Sequence, residues 1–139
     1  MRLVVDASVV AKWFNIEELS EKAVELKDVC VKGGLTLAAP THLIYEVGNS
    51  IWKNPQLTDK DAANAITALL HMDLELLPPS GERASRTIEI ARSRRVSFYD
   101  ASYLQVAEEL ETTLLTADEE QAEAGRGIVE TLHLRESKL

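Results

Sequence analysis

Arg2-Leu3-Val4-Val5-Asp6, running straight into Ala7-Ser8-Val9-Val10-Ala11-Lys12-Trp13-Phe14, decides how the chain is read. Residues 2–5 have the short apolar pattern of a strand, and the strand ends on an acid. Helical spacing begins immediately after Asp6, so the opening unit is a strand, a carboxylate and a helix with no loop to spare.

Outward from there the same alternation continues. A helix is expected over about 20–31, stopped by Gly33-Gly34. A short strand follows over 35–38 and is closed by Pro40. Thr41 opens a helix to about Lys53, which Asn54-Pro55 ends. Thr58 with Asp61 is a capping-box pattern for the next helix, with Ala62, Ile66, Leu69 and Leu70 inside. A third strand is expected over 74–77. Ser80 then caps a helix with an Ala84, Thr87, Ile88, Ala91 stripe, and Ser97 with Asp100 opens another to about Leu110. A strand over 113–115, a short helix after Asp118 and a strand over 128–132 complete the chain. Strands separated by helices imply an α/β fold. The expectation is a single three-layer domain over 1–139, a mainly parallel sheet of about five strands flanked by helices. Right-handed crossovers put every carboxyl strand end along one edge, where ligand sites of such sheets lie.

At 139 residues the chain has the size of one domain and can build its core without staples. Its formal net charge of −8 excludes a generic basic nucleic-acid coat, because that affinity comes from many Lys and Arg releasing counterions. It leaves open an enzyme that meets phosphates through a metal and a local basic face. The lone Cys30 excludes a disulfide framework and a cysteine-based zinc site, and its place on the Leu19, Ala23, Leu26 stripe reads as a buried thiol. No apolar run has membrane length, and the start does not read as a signal peptide, so a cytoplasmic protein is expected.

Two strands run into aspartates, Asp6 and, two residues past its strand, Asp118. Asp100 lies in the first turn of the helix leading to the Asp118 strand, and Glu46 flanks the apolar stripe Leu43, Ile44, Val47, Ile51. Each acid has an ordinary alternative: Asp6 and Asp118 as helix caps, Asp100 as the partner of Ser97, Glu46 as a solvent-facing charge. Convergence of all four would raise their pKa values and destabilise the fold unless a cation neutralised them. A carboxylate-only set suits Mg²⁺ or Mn²⁺ rather than zinc, and such ions support phosphodiester hydrolysis without a protein nucleophile. Val4-Val5-Asp6 also suits a phosphoryl-acceptor site, but Ser8 stands where such enzymes commonly carry a second Asp. His42, His71 and His133 show no ligand spacing and receive no role.

Residues 4–14 resemble the opening of a PIN domain of the VapC toxin type. Tyr45-Glu46-Val47-Gly48-Asn49-Ser50-Ile51-Trp52, Phe98-Tyr99-Asp100-Ala101-Ser102-Tyr103-Leu104 and Leu114-Leu115-Thr116-Ala117-Asp118 resemble that family's second, third and fourth acidic motifs, in order. The resemblance implies a Mg²⁺- or Mn²⁺-dependent endoribonuclease acting on RNA through a metal-activated water. It also implies a toxin with a cognate antitoxin protein, usually a homodimer. It makes Asp6, Glu46, Asp100 and Asp118 the catalytic and metal-holding acids, supported by Ser8, Asn49 and Thr116. The alternative is a PIN-like module that binds RNA or a protein without cleaving. The segment 81–97 carries a local +3, and Arg83, Arg86 and Arg94 share one helical face, a candidate RNA contact. Trp13, Phe14 and Trp52 are expected to pack the core or a dimer face.

Overall fold

The computed structural model describes residues 1–138. Five strands, β1 (Arg2–Val5), β2 (Thr36–Pro40), β3 (Glu75–Leu77), β4 (Leu114–Thr116) and β5 (Thr131–His133), form one sheet in the order β3-β2-β1-β4-β5. All four pairings are parallel, as the strand–helix alternation requires. The register at the centre sets Val4 against Ala38 on one side and Leu114 on the other. The strand order reverses between β1 and β4, one neighbour leading to β2 and β3, the other to β5. The two strands that run into aspartates therefore flank the switch point, where side chains at the carboxyl edge face an open crevice.

Seven helices connect the strands: α1 (Ala7–Val10), α2 (Ser20–Val31), α3 (Leu43–Trp52), α4 (Asp59–Leu70), α5 (Gly81–Arg94), α6 (Phe98–Glu109) and α7 (Glu119–Ala124). Three of the caps written in the sequence form as expected, while the helix expected to open at Thr41 starts at Leu43, with His42 before it and no side-chain cap bond. Thr58, Ser80 and Ser97 hydroxyls accept the N–H of Asp61, Arg83 and Asp100, satisfying donors that the first helical turn leaves free. The sheet core is Val4, Val5, Leu37, Ala38, Leu114 and Leu115, sealed on the helical side by Leu43, Val47, Ile90, Tyr103 and Leu104. α6 is buried along most of its length, from Ala101 to Ala107, which makes it the rigid post that carries Asp100 to the rim.

Several local expectations change. β5 starts at Thr131, not 128, because the N–H groups of Ile128 and Val129 both turn back to the Gly125 carbonyl and close the turn after α7. On α5 the buried face is Thr87, Ile90 and Ala91, and Ile88 is 48% exposed. On α4, Leu69 is buried and Leu70 exposed, since that helix packs mainly on α3. Trp13 is buried and donates its indole N–H to the Ala23 carbonyl at 2.8 Å; of the core or dimer face expected for Trp52, the core does not hold, since it is 76% exposed in the single chain. Cys30 is half-buried, and burial raises its thiol pKa.

Gly125 is required for close approach rather than for backbone freedom. A Cβ there would stand 2.5 Å from Thr131 Cγ2 and 2.9 Å from Leu104 Cδ2, inside the contact of α7 with β5 and α6. We expect Gly125→Ala to cost about 1–3 kcal/mol, the usual penalty of overpacking, read from urea denaturation; an unchanged midpoint would show that the contact yields freely.

Candidate active site

Asp6 follows β1 directly. Its backbone N–H bonds the Leu115 carbonyl of β4 at 2.9 Å, so the residue is fixed by the sheet ladder. It stands at the N-terminus of α1, yet its side chain caps nothing, which removes the ordinary explanation for a carboxylate there. Instead Oδ2 accepts the Thr116 hydroxyl at 2.7 Å and the Ser8 hydroxyl at 2.9 Å. Ser8 in turn accepts the Ala117 N–H, and Thr116 accepts the Asp118 N–H. Among the described residues nothing bonds Oδ1. Asp6 is 6% exposed, and burial raises its pKa from 3.8 to about 6, against the lowering effect of the two hydroxyls; the charges of Glu46 and Asp100 raise it further. A carboxylate whose charge burial penalises, with one oxygen left free of protein partners at a crevice, is a functional-site candidate.

The other acids gather around it. Asp100 is half-buried at the first turn of α6; burial raises its pKa most, then the charge of Glu46, then that of Asp118. Its carbonyl accepts Gln121 Nε2 at 2.9 Å, which fastens α6 to α7 beside Asp118, and Gln121 Oε1 is left buried without a partner. Asp118 is exposed and does cap α7, its Oδ1 accepting the Glu120 N–H at 2.9 Å. Glu46, one turn into α3, places Oε1 on the Tyr103 hydroxyl at 2.9 Å and on His42 Nδ1 at 2.7 Å. Tyr103 lies one turn after Asp100 on the same face of α6. Its pKa is raised by burial, then by the charges of Glu46 and Asp6, so it stays a hydroxyl donor.

The four acids thus repel one another at one rim, but the side chains as they stand are not closed on a common ion. Among the described residues no three His, Cys, Asp or Glu groups lie close enough to hold one. Their chemistry still fits a hard divalent cation: the donors are all oxygen, Asp6 Oδ1 is unpaired, and the local charge is uncompensated.

Ser8 and Thr116 stand on Asp6 as expected. Asn49 is exposed, and among the described residues its side chain bonds none of the acids. The three arginines expected to share one face of α5 have partners within the chain. Arg83 grips Glu109 with two nitrogens, both at 2.9 Å, and Arg86 grips Glu108 at 2.8 and 2.9 Å. Arg94 donates to the Arg126 carbonyl. Two carboxylates of α6, which no helical wheel of α5 contains, offset two of the three net charges. We expect Arg83→Ala with Arg86→Ala to lower the thermal midpoint and leave RNA affinity unchanged in filter binding. A salt slope smaller by about 1.4, as two lost phosphate contacts on a single strand would give, would return these residues to the RNA. His42, Tyr103 and Gln121 are the site residues that sequence reasoning missed. Only His42 left a signal, its spacing of four from Glu46 on one helix.

The fold is an all-parallel α/β domain with a buried aspartate and three less buried acids at its switch point. The PIN domain family model matches residues 3–127, and the chain belongs to the PIN-domain family, within its VapC group. It is 33% identical over 127 residues to "Ribonuclease VapC3" of Pyrobaculum aerophilum, covering 88% of this chain and 94% of that one. The crystal structure of PAE2754 from the same organism superposes with a TM-score of 0.70 at 25% identity, over 97% of this chain and 93% of that one. A toxin–antitoxin complex from Klebsiella pneumoniae contains the same fold, with a TM-score of 0.67 at 15% identity, over 95% and 97% of the two chains. No helix among the described residues is long and apolar enough to cross a membrane.

Proposed function

We propose that this protein is a Mg²⁺- or Mn²⁺-dependent endoribonuclease and the toxin of a toxin–antitoxin pair, with a cognate antitoxin as its protein partner and a homodimer as its working form. The observation that carries the reading is the buried Asp6 carboxylate, tied through Oδ2 to Thr116 and Ser8 while Oδ1 has no protein partner among the described residues and the charges of Glu46 and Asp100 bear on it. The ribonuclease name of the VapC3 relative supports the reaction, and the Klebsiella complex supports the partner.

Asp6, Glu46, Asp100 and Asp118 would hold the cation. When bound, it supplies a Lewis acid for the phosphodiester and acidifies a water to serve as nucleophile. The chain's own work is positional. Thr116 and Ser8 orient Asp6, Tyr103 keeps Glu46 Oε1 in place, and Gln121 fixes the turn that bears Asp100. The strands supply a rigid floor, so the site is set by folding rather than by loop closure.

The test is cleavage of end-labelled single-stranded and structured RNA with Mn²⁺, with Mg²⁺ and with EDTA. Internal cuts with either metal and none with EDTA are expected. Metal-independent cutting would overturn the metal reading. RNA binding without any cutting would favour the non-cleaving module.

A further inference from the structure

Glu46 is the acid that most needs help. It comes from a helix, not from a strand end, and its long side chain loses about 1.5–2 kcal/mol of rotamer freedom if held in one place. Two donors converge on its Oε1, His42 Nδ1 and the Tyr103 hydroxyl. Among the described residues nothing bonds Oε2.

The His42 ring is itself clamped. The Ser102 hydroxyl donates its hydrogen to the Tyr99 carbonyl at 2.7 Å, so it receives the hydrogen of His42 Nε2. With the hydrogen on Nε2 committed to α6, the bond to Glu46 takes a second ring hydrogen on Nδ1, so the contacts are those of an imidazolium paired with the carboxylate. The ring packs edge-on against Tyr99, centroids 5.2 Å apart at 73°, and against Tyr103, 5.1 Å apart at 87°. Polar contacts at both nitrogens and aromatic contacts on its flanks leave it one orientation. The result is a continuous bridge from the Tyr99 carbonyl through Ser102 and His42 to Glu46, joining α3 to the turn of α6 that carries Asp100.

We propose that His42 is a positioning residue for the active site: clamped by Ser102, Tyr99 and Tyr103, it pins Glu46 Oε1 so that Oε2 is presented to the cation beside Asp100. This rests on Glu46 acting as a metal-holding acid. Partners that orient a ligating carboxylate are typically worth about 10–100-fold in metal affinity.

The experiment measures Mn²⁺ binding to the full chain by the electron paramagnetic resonance signal of free Mn²⁺, alongside RNA cleavage kinetics. The variants are His42→Ala, His42→Asn, His42→Gln and Glu46→Gln. Asparagine can place an amide nitrogen where Nδ1 stands and still donate to Glu46; glutamine can reach Ser102 but gives up that donor. His42→Ala and His42→Gln are expected to bind Mn²⁺ about tenfold more weakly and to lose kcat at unchanged KM for RNA. His42→Asn is expected to restore most of both. Should the alanine variant fail to fold, the asparagine–glutamine pair still decides. Glutamine restoring what asparagine does not, or all three binding Mn²⁺ like the parent while Glu46→Gln does not, overturns the role of His42. Parental Mn²⁺ binding by Glu46→Gln overturns the metal-holding role of Glu46 itself.

Discussion

Asp6→Asn is expected to reduce RNA cleavage by at least about a hundredfold while leaving the metal-free protein folded. The lower bound follows from the cost of merely disturbing a partner of a metal ligand, about 10–100-fold, since Asp6 would be the ligand itself. The fold should survive because asparagine keeps the shape and keeps an oxygen for Thr116 and Ser8, whose hydroxyls now reach Asp6 at 2.7 and 2.9 Å. The same substitution should abolish most of the rise in thermal midpoint that Mn²⁺ gives the parent, because a ligand stabilises only the state that binds it. Cleavage and thermal shift are separate measurements, and both must fall. A variant that cleaves normally would remove Asp6 from the chemistry; one that loses cleavage but keeps the full Mn²⁺ shift would leave the ion bound by other groups.

The second large effect is the pH dependence of the metal-free protein. Below the ordinary carboxyl range Asp6 is protonated in both folded and unfolded chains and contributes no pH dependence. Between 3.8 and about 6 the unfolded chain has ionised while the folded chain retains the proton. Folding then takes up a proton, which becomes harder as pH rises, so stability falls through that window and stays lower above it. A shift of this size corresponds to about 3 kcal/mol. The raised pKa of Asp100 adds in the same direction. Glu108 and Glu109, lowered by their bonds to Arg86 and Arg83, act oppositely and at lower pH. Urea denaturation of parent and Asp6→Asn across pH 4–8 separates these contributions. The difference between the two curves should grow with pH in favour of the variant and flatten above about 7. Parallel curves would mean that Asp6 carries no penalty in the folded chain. Mn²⁺ should flatten the parent's decline, since a cation offsets the charge that burial penalises.

Cost and use meet at the same residue. The sheet places Asp6 where its charge is expensive, and the hydroxyls of Thr116 and Ser8 recover only part of that cost. Asp118, by contrast, sits in solvent with a capping bond of its own, and asks little of the fold. The acids at this rim are therefore unequal: a buried anchor, two partly buried companions and an exposed outer member.

Sequence by itself determined the class of fold and pointed to the acids proposed for the site. Short apolar runs broken by capped amphipathic helices leave few arrangements other than a parallel sheet, and the carboxylates at the ends of β1 and β4 follow from where those strands stop. Tertiary structure alone decided what surrounds them. The bond from His42 to Ser102 joins positions sixty residues apart, and Tyr103 reaches Glu46 from another helix. Of the arginine face that looked free along α5, Arg83 and Arg86 pair with α6 and Arg94 with the Arg126 carbonyl. Ile88 turned outward and Ile90 inward because packing on α6, not the period of α5, chose its buried side. Periodicity and caps are local properties and can be read along the chain. Hydrogen-bond partners and charge compensation between elements depend on which side chains folding brings within about 3 Å, and no single segment contains that information.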